Sequence, residues 1–185
     1  SPTGHLHIGG ARTALFNYLF AKSMKGKFLL RIEDTDLKRS KSSLTEKIIN
    51  DIEWLNILWD EEIVFQRQNQ KKHKQIIDYL LEKGLAFRCF SERENYTESN
   101  IKKIGTREPA FRSPWRDFSK NTQPNKQYVV RFKVPSDPSQ INFTDKVRGE
   151  LSWDLNTIED FVIARSDGSS TYNLAVVVDD HNMKI

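Results

Sequence analysis

The chain of 185 residues, 37% hydrophobic and 11% aromatic, has enough apolar material for a packed core, either one domain or a domain with an insertion, which excludes a disordered tail. No apolar run approaches the ~18 residues of a membrane span, and the N-terminus lacks the basic and apolar blocks of a secretory signal, so a cytoplasmic protein is expected. One cysteine, Cys89, excludes an internal disulfide framework, and the net charge of +4 becomes informative only once it is localised.

The opening SPTGHLHIGGARTALF sets two histidines and three glycines ahead of a helical run. From Ile8 to about Met24, Leu15, Phe16, Leu19 and Phe20 recur at helical spacing and predict a helix with one buried stripe, ended by Gly26. KFLLRI, Lys27 to Ile32, is a nearly continuous apolar run, the pattern of a parallel strand covered on both faces, and EDTDLKRS follows as a polar loop. A second helix is predicted from Ser43, with Glu46 as the far half of a capping box and Ile48, Ile49, Ile52 and Leu55 on one side. A third runs from about Gln68 to Lys83, with Ile76, Ile77, Leu80 and Leu81 inward and Gly84 as its stop.

After AFRCF the texture changes. Five of the six prolines, Pro109, Pro114, Pro124, Pro135 and Pro138, fall in the next fifty residues, and helical periodicity disappears, which predicts an irregular, partly β insertion. VVRFKV alternates, Val130, Phe132 and Val134 to one face and Arg131 and Lys133 to the other. DFVIARSDGSSTY reads as a strand entering a turn at Asp167-Gly168, with a further helix starting near Thr171. Between Glu92 and Lys133 ten Lys or Arg stand against five Asp or Glu, so the basic excess of the chain sits in this window.

A helix N-terminus leaves its first backbone N–H groups unpaired and carries partial positive charge, so a glycine-rich entry suits a phosphate. Gly9 and Gly10 allow close approach of a ligand to the backbone, and His7 is placed to bond a phosphate oxygen and to stabilise charge developing there. The same residues also suit a plain cap and close packing on a strand. Neither the dinucleotide fingerprint G-x-G-x-x-G nor the P-loop G-x-x-x-x-G-K-[ST] is present.

His7-Ile8-Gly9-Gly10 resembles the His-Ile-Gly-His signature of class I aminoacyl-tRNA synthetases, with glycine in the fourth place as in the glutamyl-tRNA synthetases. The flanks SPTG and GGARTALFNYLFA, RIEDTD from Arg31 to Asp36, VRGELSWD and DFVIARSDGSSTYNLAVVVDDHNM carry the same resemblance, which is weakest from Ser91 to Gln127. It implies an α/β protein: the first half of a class I Rossmann-type nucleotide-binding fold (residues 1–85), an inserted α+β acceptor-stem-binding domain (86–170), and the start of a return to the catalytic domain (171–185). The implied enzyme is a glutamate-tRNA ligase that activates L-glutamate with ATP and Mg2+ and transfers it to the 3′ end of tRNA(Glu).

By the same resemblance His7, Gly9 and Gly10 belong to the catalytic motif, Ser1, His7 and Gly9 contact ATP, and Ser1, Glu33 and Tyr172 line the amino-acid pocket. Those residue types suit these roles. A carboxylate such as Glu33 at the C-terminal end of a strand can hold an α-ammonium, and hydroxyls can bond carboxylates. Glu33, Asp34 and Asp36 would equally suit a solvated acidic turn, and Tyr172 a half-buried packing position. Arg39, Arg112, Arg116 and Arg148 are the candidates for phosphate contacts on the tRNA acceptor stem. AFRSPWRD departs from the Tyr-Asp-Gly-Arg pattern of the family, and Trp115 there reads as a packing anchor or a stacking platform. Some members hold zinc through a Cys-x-Cys pair. Here Cys89-Phe90-Ser91 lacks the second sulfur, so no structural zinc is expected and Cys89 reads as a buried small hydrophobe.

The resemblance further implies a piece of a longer chain, inactive alone. The family's strand and arginine ahead of the motif, its Lys-Met-Ser-Lys-Ser-like signature and its anticodon-binding region have no counterpart in the sequence. Two alternatives accompany this reading: a glutamyl-queuosine tRNA(Asp) synthetase, a paralogue that usually carries the zinc cysteines, and a non-catalytic tRNA-binding module.

Overall fold

In a computed structural model of the protein the described residues are 2, 4–35, 42–90, 110, 112–117 and 125–185. Ser1, Asp36, Arg39 and Ser91 lie outside them, as does the basic window up to residue 109. The chain groups into two compact units, Ser1–Lys71 and Lys72–Ile185.

In the first unit α1 (Ile8–Ser23) leads to β1 (Arg31–Ile32), α2 (Ser42–Trp54), β2 (Val64–Phe65) and a 3-10 turn (Gln66–Asn69). β1 and β2 are parallel, Arg31 opposite Val64 and Ile32 opposite Phe65, so α2 is the crossover that a parallel pair requires. β2 is too short for an alternating pattern to register in sequence. Phe28, Ile52 and Ile57 form the buried core, and Leu6, Ala14, Tyr18, Ala21, Leu30, Ile48 and Trp59 pack around it.

The side of α1 that packs differs from the expected one. Leu15, Phe16, Leu19 and Phe20 are 44%, 67%, 54% and 50% exposed, while Ala14, Tyr18 and Ala21 face the core. The helix is apolar on two sides, so its bulkiest residues do not mark the face that packs within this unit. Tyr18 meets Phe28 edge to face at 5.7 Å. Asp60 ties α1 to the segment ahead of β1: its carboxylate accepts from Lys22 Nζ at 2.8 Å and from the Phe28 N–H at 2.7 Å.

The second unit contains most of α3 (Gln70–Glu82), then β3 (Ala86–Cys89), a 3-10 turn (Pro114–Asp117), β4 (Val129–Phe132), β5 (Gln140–Asp145), β6 (Gly149–Asp154), a 3-10 turn (Leu155–Thr157), β7 (Val162–Ala164) and α4 (Tyr172–Met183). β3, β4 and β7 make an antiparallel sheet with β4 in the middle, and β5 and β6 pair as a separate hairpin. Ile77 of α3 and Leu174 and Val178 of α4 join Ala86, Val130, Ile163 and Ala164 of the sheet in one core. The alternation in VVRFKV holds for Val130 and Val134, which are buried, but Arg131 is buried as well. A central strand is covered on both faces, and here the guanidinium of Arg131 donates to the carbonyl of Asp160.

All four α-helices of the described residues end alike. One residue takes the left-handed conformation, its N–H bonds the carbonyl three back, and the next N–H bonds the carbonyl five before itself. The left-handed residues are Lys25, Asn56, Gly84 and Lys184, so α1 turns at Lys25 and not at the expected Gly26, which supplies only the second hydrogen bond. Gly84 ends α3 as expected. No helix among the described residues is long and apolar enough to cross a membrane.

Candidate active site

His7 is the N-cap of α1. Its backbone is extended (φ −119°, ψ 167°), its carbonyl accepts from the Ala11 N–H at 3.0 Å, and its Nδ1 accepts from the Gly9 N–H at 3.1 Å. An imidazole nitrogen that accepts is unprotonated, so the neutral ring carries its proton on Nε2. The cap therefore turns the ring's donor away from the helix. His7 is exposed, and the first-turn N–H groups of Ile8 and Gly10 have no acceptor within the helix. Gly9 leaves room for the ring: a Cβ there would lie 3.0 Å from His7 Cε1 and 3.1 Å from Nδ1, so the ring would have to shift by a few tenths of an ångström. At Gly10 the nearest atom is the flexible end of Leu6, at 3.0 Å, so the restriction is milder.

Glu33 directly follows β1, at the C-terminal end of a parallel strand. Its Oε1 accepts from Arg31 Nη2 at 3.2 Å, and its side chain is partly buried. The neighbouring Asp34 is structural, because its Oδ1 accepts from the Arg67 N–H at 2.9 Å and so joins the loops after β1 and β2. Tyr172 belongs to the second unit, as the first residue of α4, and is 54% exposed. The segment ahead of it is held to β7, the Thr171 N–H bonding Ile163 O and Thr171 Oγ1 bonding Val162 O, both at 2.9 Å. The turn before that forms at Asp167-Gly168 as expected, with Gly168 at φ 83°. Asp167 caps the turn through Ser169, whose hydroxyl and N–H hold its carboxyl below the usual carboxylate range.

The basic candidates part company. Arg148 is exposed at the β5–β6 turn, where Asp145 accepts from its N–H at 2.7 Å and from that of Val147 at 2.8 Å. These two bonds hold the Asp145 carboxyl below its ordinary range. Arg112 and Arg116 converge instead on Asp160, which is 1% exposed. Arg112 Nη1 donates to Asp160 Oδ1 and to Ile158 O, and its Nη2 to Leu155 O; Arg116 donates to Asp160 Oδ1 and, at 2.6 Å, to Val134 O. The Val134 N–H reaches the same Oδ1 at 2.9 Å. Both guanidinium groups thus cross-link backbone to a buried carboxylate. Trp115 packs edge to face on Phe90, with ring centres 5.0 Å apart, as an anchor of the same region.

Cys89 is buried with its Sγ 3.5 Å from Ser113 Oγ. Among the described residues no group of three or more His, Cys, Asp or Glu is arranged to hold a metal ion. Two buried features escape the sequence reading: Asp160, and His73 with Asp179 and Ser170. For His73 a signal existed, since it lies four residues before Ile77 on the inward face of α3.

The family model for the catalytic domain of class I tRNA synthetases (E and Q) matches residues 1–185. A glutamate-tRNA ligase 2 of Cereibacter sphaeroides is 46% identical over 188 residues, covering 100% of this chain and 39% of the relative. A glutamate-tRNA ligase 2 of Anaplasma phagocytophilum is 48% identical over 188 residues, with 100% and 40% covered. Among solved structures, a glutamate tRNA ligase from Elizabethkingia meningosepticum in complex with its amino acid is similar at a TM-score of 0.80 and 33% identity, over 100% of this chain and 41% of that one. The chain thus spans about two fifths of the length of the relatives it matches. With a mixed α/β fold, its His-Ile-Gly-Gly motif capping the first helix and a match from end to end, the chain belongs to the class I tRNA synthetases (E and Q), within their catalytic domain.

Proposed function

We propose that this chain is the first half of a Rossmann-type catalytic domain, with residues 86–170 inserted as an acceptor-stem-binding domain, in a longer cytoplasmic glutamate-tRNA ligase. In the proposed reaction a carboxylate oxygen of L-glutamate attacks the α-phosphorus of ATP, supplied with Mg2+, and pyrophosphate leaves with the electrons of the broken P–O bond. The terminal ribose hydroxyl of tRNA(Glu) then attacks the acyl carbon, the acyl C–O bond to the phosphate breaks, and AMP leaves with those electrons while the hydroxyl proton passes to its phosphate.

The observation that carries this reading is the His7 cap. One hydrogen bond, Gly9 N–H to Nδ1, leaves Nε2–H directed outward, and the N–H groups of Ile8 and Gly10 are without an acceptor in the helix. That donor set suits the oxygens of a phosphate gaining charge. Glu33, at the end of β1, has the chemistry for the α-ammonium of glutamate, and the hydroxyls of Tyr172 and Ser1 suit its carboxylates. Arg148 is the exposed candidate for tRNA phosphates, joined by Arg39. Arg112 and Arg116 serve the fold first, so their part in tRNA binding is to shape the insertion.

The test is glutamate-dependent ATP–pyrophosphate exchange by the full-length protein with tRNA present, wild type against His7→Ala. Exchange should fall by at least about tenfold in the variant, ~1.4 kcal/mol of barrier. Absence of exchange with any amino acid, alongside retained tRNA binding, would instead identify a non-catalytic tRNA-binding module.

A further inference from the structure

His73 of α3 is 1% exposed and uses both ring nitrogens. Nε2 lies 3.0 Å from Oδ1 of Asp179, which is fully buried on α4, and Nδ1 lies 3.1 Å from Oγ of Ser170, 6% exposed. Asp179 is seven residues after Tyr172 and Ser170 two before it. One imidazole therefore grips the segment carrying Tyr172 on both sides.

Packing alone does not fix α4 against α3. Ile77, Leu174 and Val178 fill one part of their interface. Beside them the helices part around a cleft of about 360 Å³ lined by Lys72, Ile76, Val177 and His181. An apolar contact tolerates sliding, whereas a buried hydrogen bond left unmade costs the full desolvation of its groups. The network, unlike the core, specifies one register.

We propose that His73 is a positioning residue for Tyr172: through Asp179 and Ser170 it sets where the first turn of α4 presents the tyrosine hydroxyl. The inference rests on Tyr172 lining the amino-acid pocket. It makes His73 a determinant of glutamate recognition without contact to glutamate.

The experiment is steady-state exchange kinetics on the full-length protein, with KM measured separately for L-glutamate and ATP. Tyr172→Phe should raise the glutamate KM, and His73→Ala should raise it about tenfold while the ATP KM stays within about twofold. His73→Gln, whose amide can donate to Asp179 from about the place of Nε2, should recover most of the loss. Combining His73→Ala with Tyr172→Phe should cost less than the two losses together. Should His73→Ala fail to fold, Ser170→Ala carries the same expectation, because it cuts only the link ahead of Tyr172. A raised glutamate KM in Tyr172→Phe with none in folded His73→Ala or Ser170→Ala would overturn the positioning role. An equal rise for glutamate and ATP, without rescue by glutamine, would do the same. An unchanged glutamate KM in Tyr172→Phe would instead remove the pocket reading on which the inference stands.

Discussion

The His7 cap and the Asp160 cluster both gather polar side chains, in opposite ways. At His7 a single hydrogen bond is enough, and the ring stays exposed with its second nitrogen directed away from the helix. At Asp160 two arginines, a third guanidinium on its carbonyl and a backbone N–H all turn inward, on a residue 1% exposed. Positive charge near a predicted nucleic-acid site is therefore no guide to which arginines are available. What separates the two places is whether the donors have already been used by the protein.

The largest effect should come from the inward cluster. Asp160→Ala leaves Arg112 and Arg116 without their shared carboxylate, and should lower unfolding stability by about 3 kcal/mol or more, read by urea denaturation of the full-length protein. A loss under about 1 kcal/mol would make the cluster a surface feature in all but burial. Next, Gly9→Ala should cut glutamate-dependent exchange by about tenfold through the displaced His7 ring, with stability unchanged or slightly higher because alanine favours a helix. An active Gly9→Ala enzyme would break the contrast, since the ring's placement would then not matter.

Asp60 tests a more exposed carboxylate that the protein also uses. The bonds from Lys22 and from the Phe28 N–H, opposed by burial, hold its carboxyl below the ordinary range. A depressed folded-state value stabilises the fold above the unfolded-state value, and the contribution is lost as pH falls through the folded one. Stability should thus decline below about pH 4, and Asp60→Asn should flatten that acid limb in thermal melts taken across pH. The smallest effect belongs to a helix end. Lys25→Gly places glycine at φ 53° and should raise stability by about 1 kcal/mol or less, with exchange unchanged.

What could be read from the sequence was local. The span of α1, the stop at Gly84 and the turn at Asp167-Gly168 each depend on residues within a few positions of one another. The His-Ile-Gly-Gly motif was legible for the same reason, because cap, glycines and helix are contiguous. The burial of Asp160 and the partners of His73 were not. Arg116 and Asp160 are 44 residues apart, and His73 and Asp179 are 106 apart, so nothing in a window around either announces its partner. The burial of Arg131 was hidden for a related reason: alternation tells which residues share a face of a strand, not whether the second face is covered. On α1 the failure was one of choice, since two apolar faces compete and only folding selects between them.

The shared ending of the four helices bears on how the chain tolerates gains and losses of residues. At α3 the left-handed Gly84 hands the chain to Leu85, whose N–H is fixed to Leu80 O and whose carbonyl accepts from the Lys133 N–H, one residue before β3 begins. No slack separates the last helical turn from the strand. A residue inserted there would transmit undiluted into β3 and exchange the side chains of its two faces, moving the buried Cys89 to the face of Ala86 and Arg88. The helix termini thus act as phase markers that fix the strand register. Changes in chain length are then confined to places such as the turn between β5 and β6, where Val147 is 94% exposed and lies between paired strands already in register.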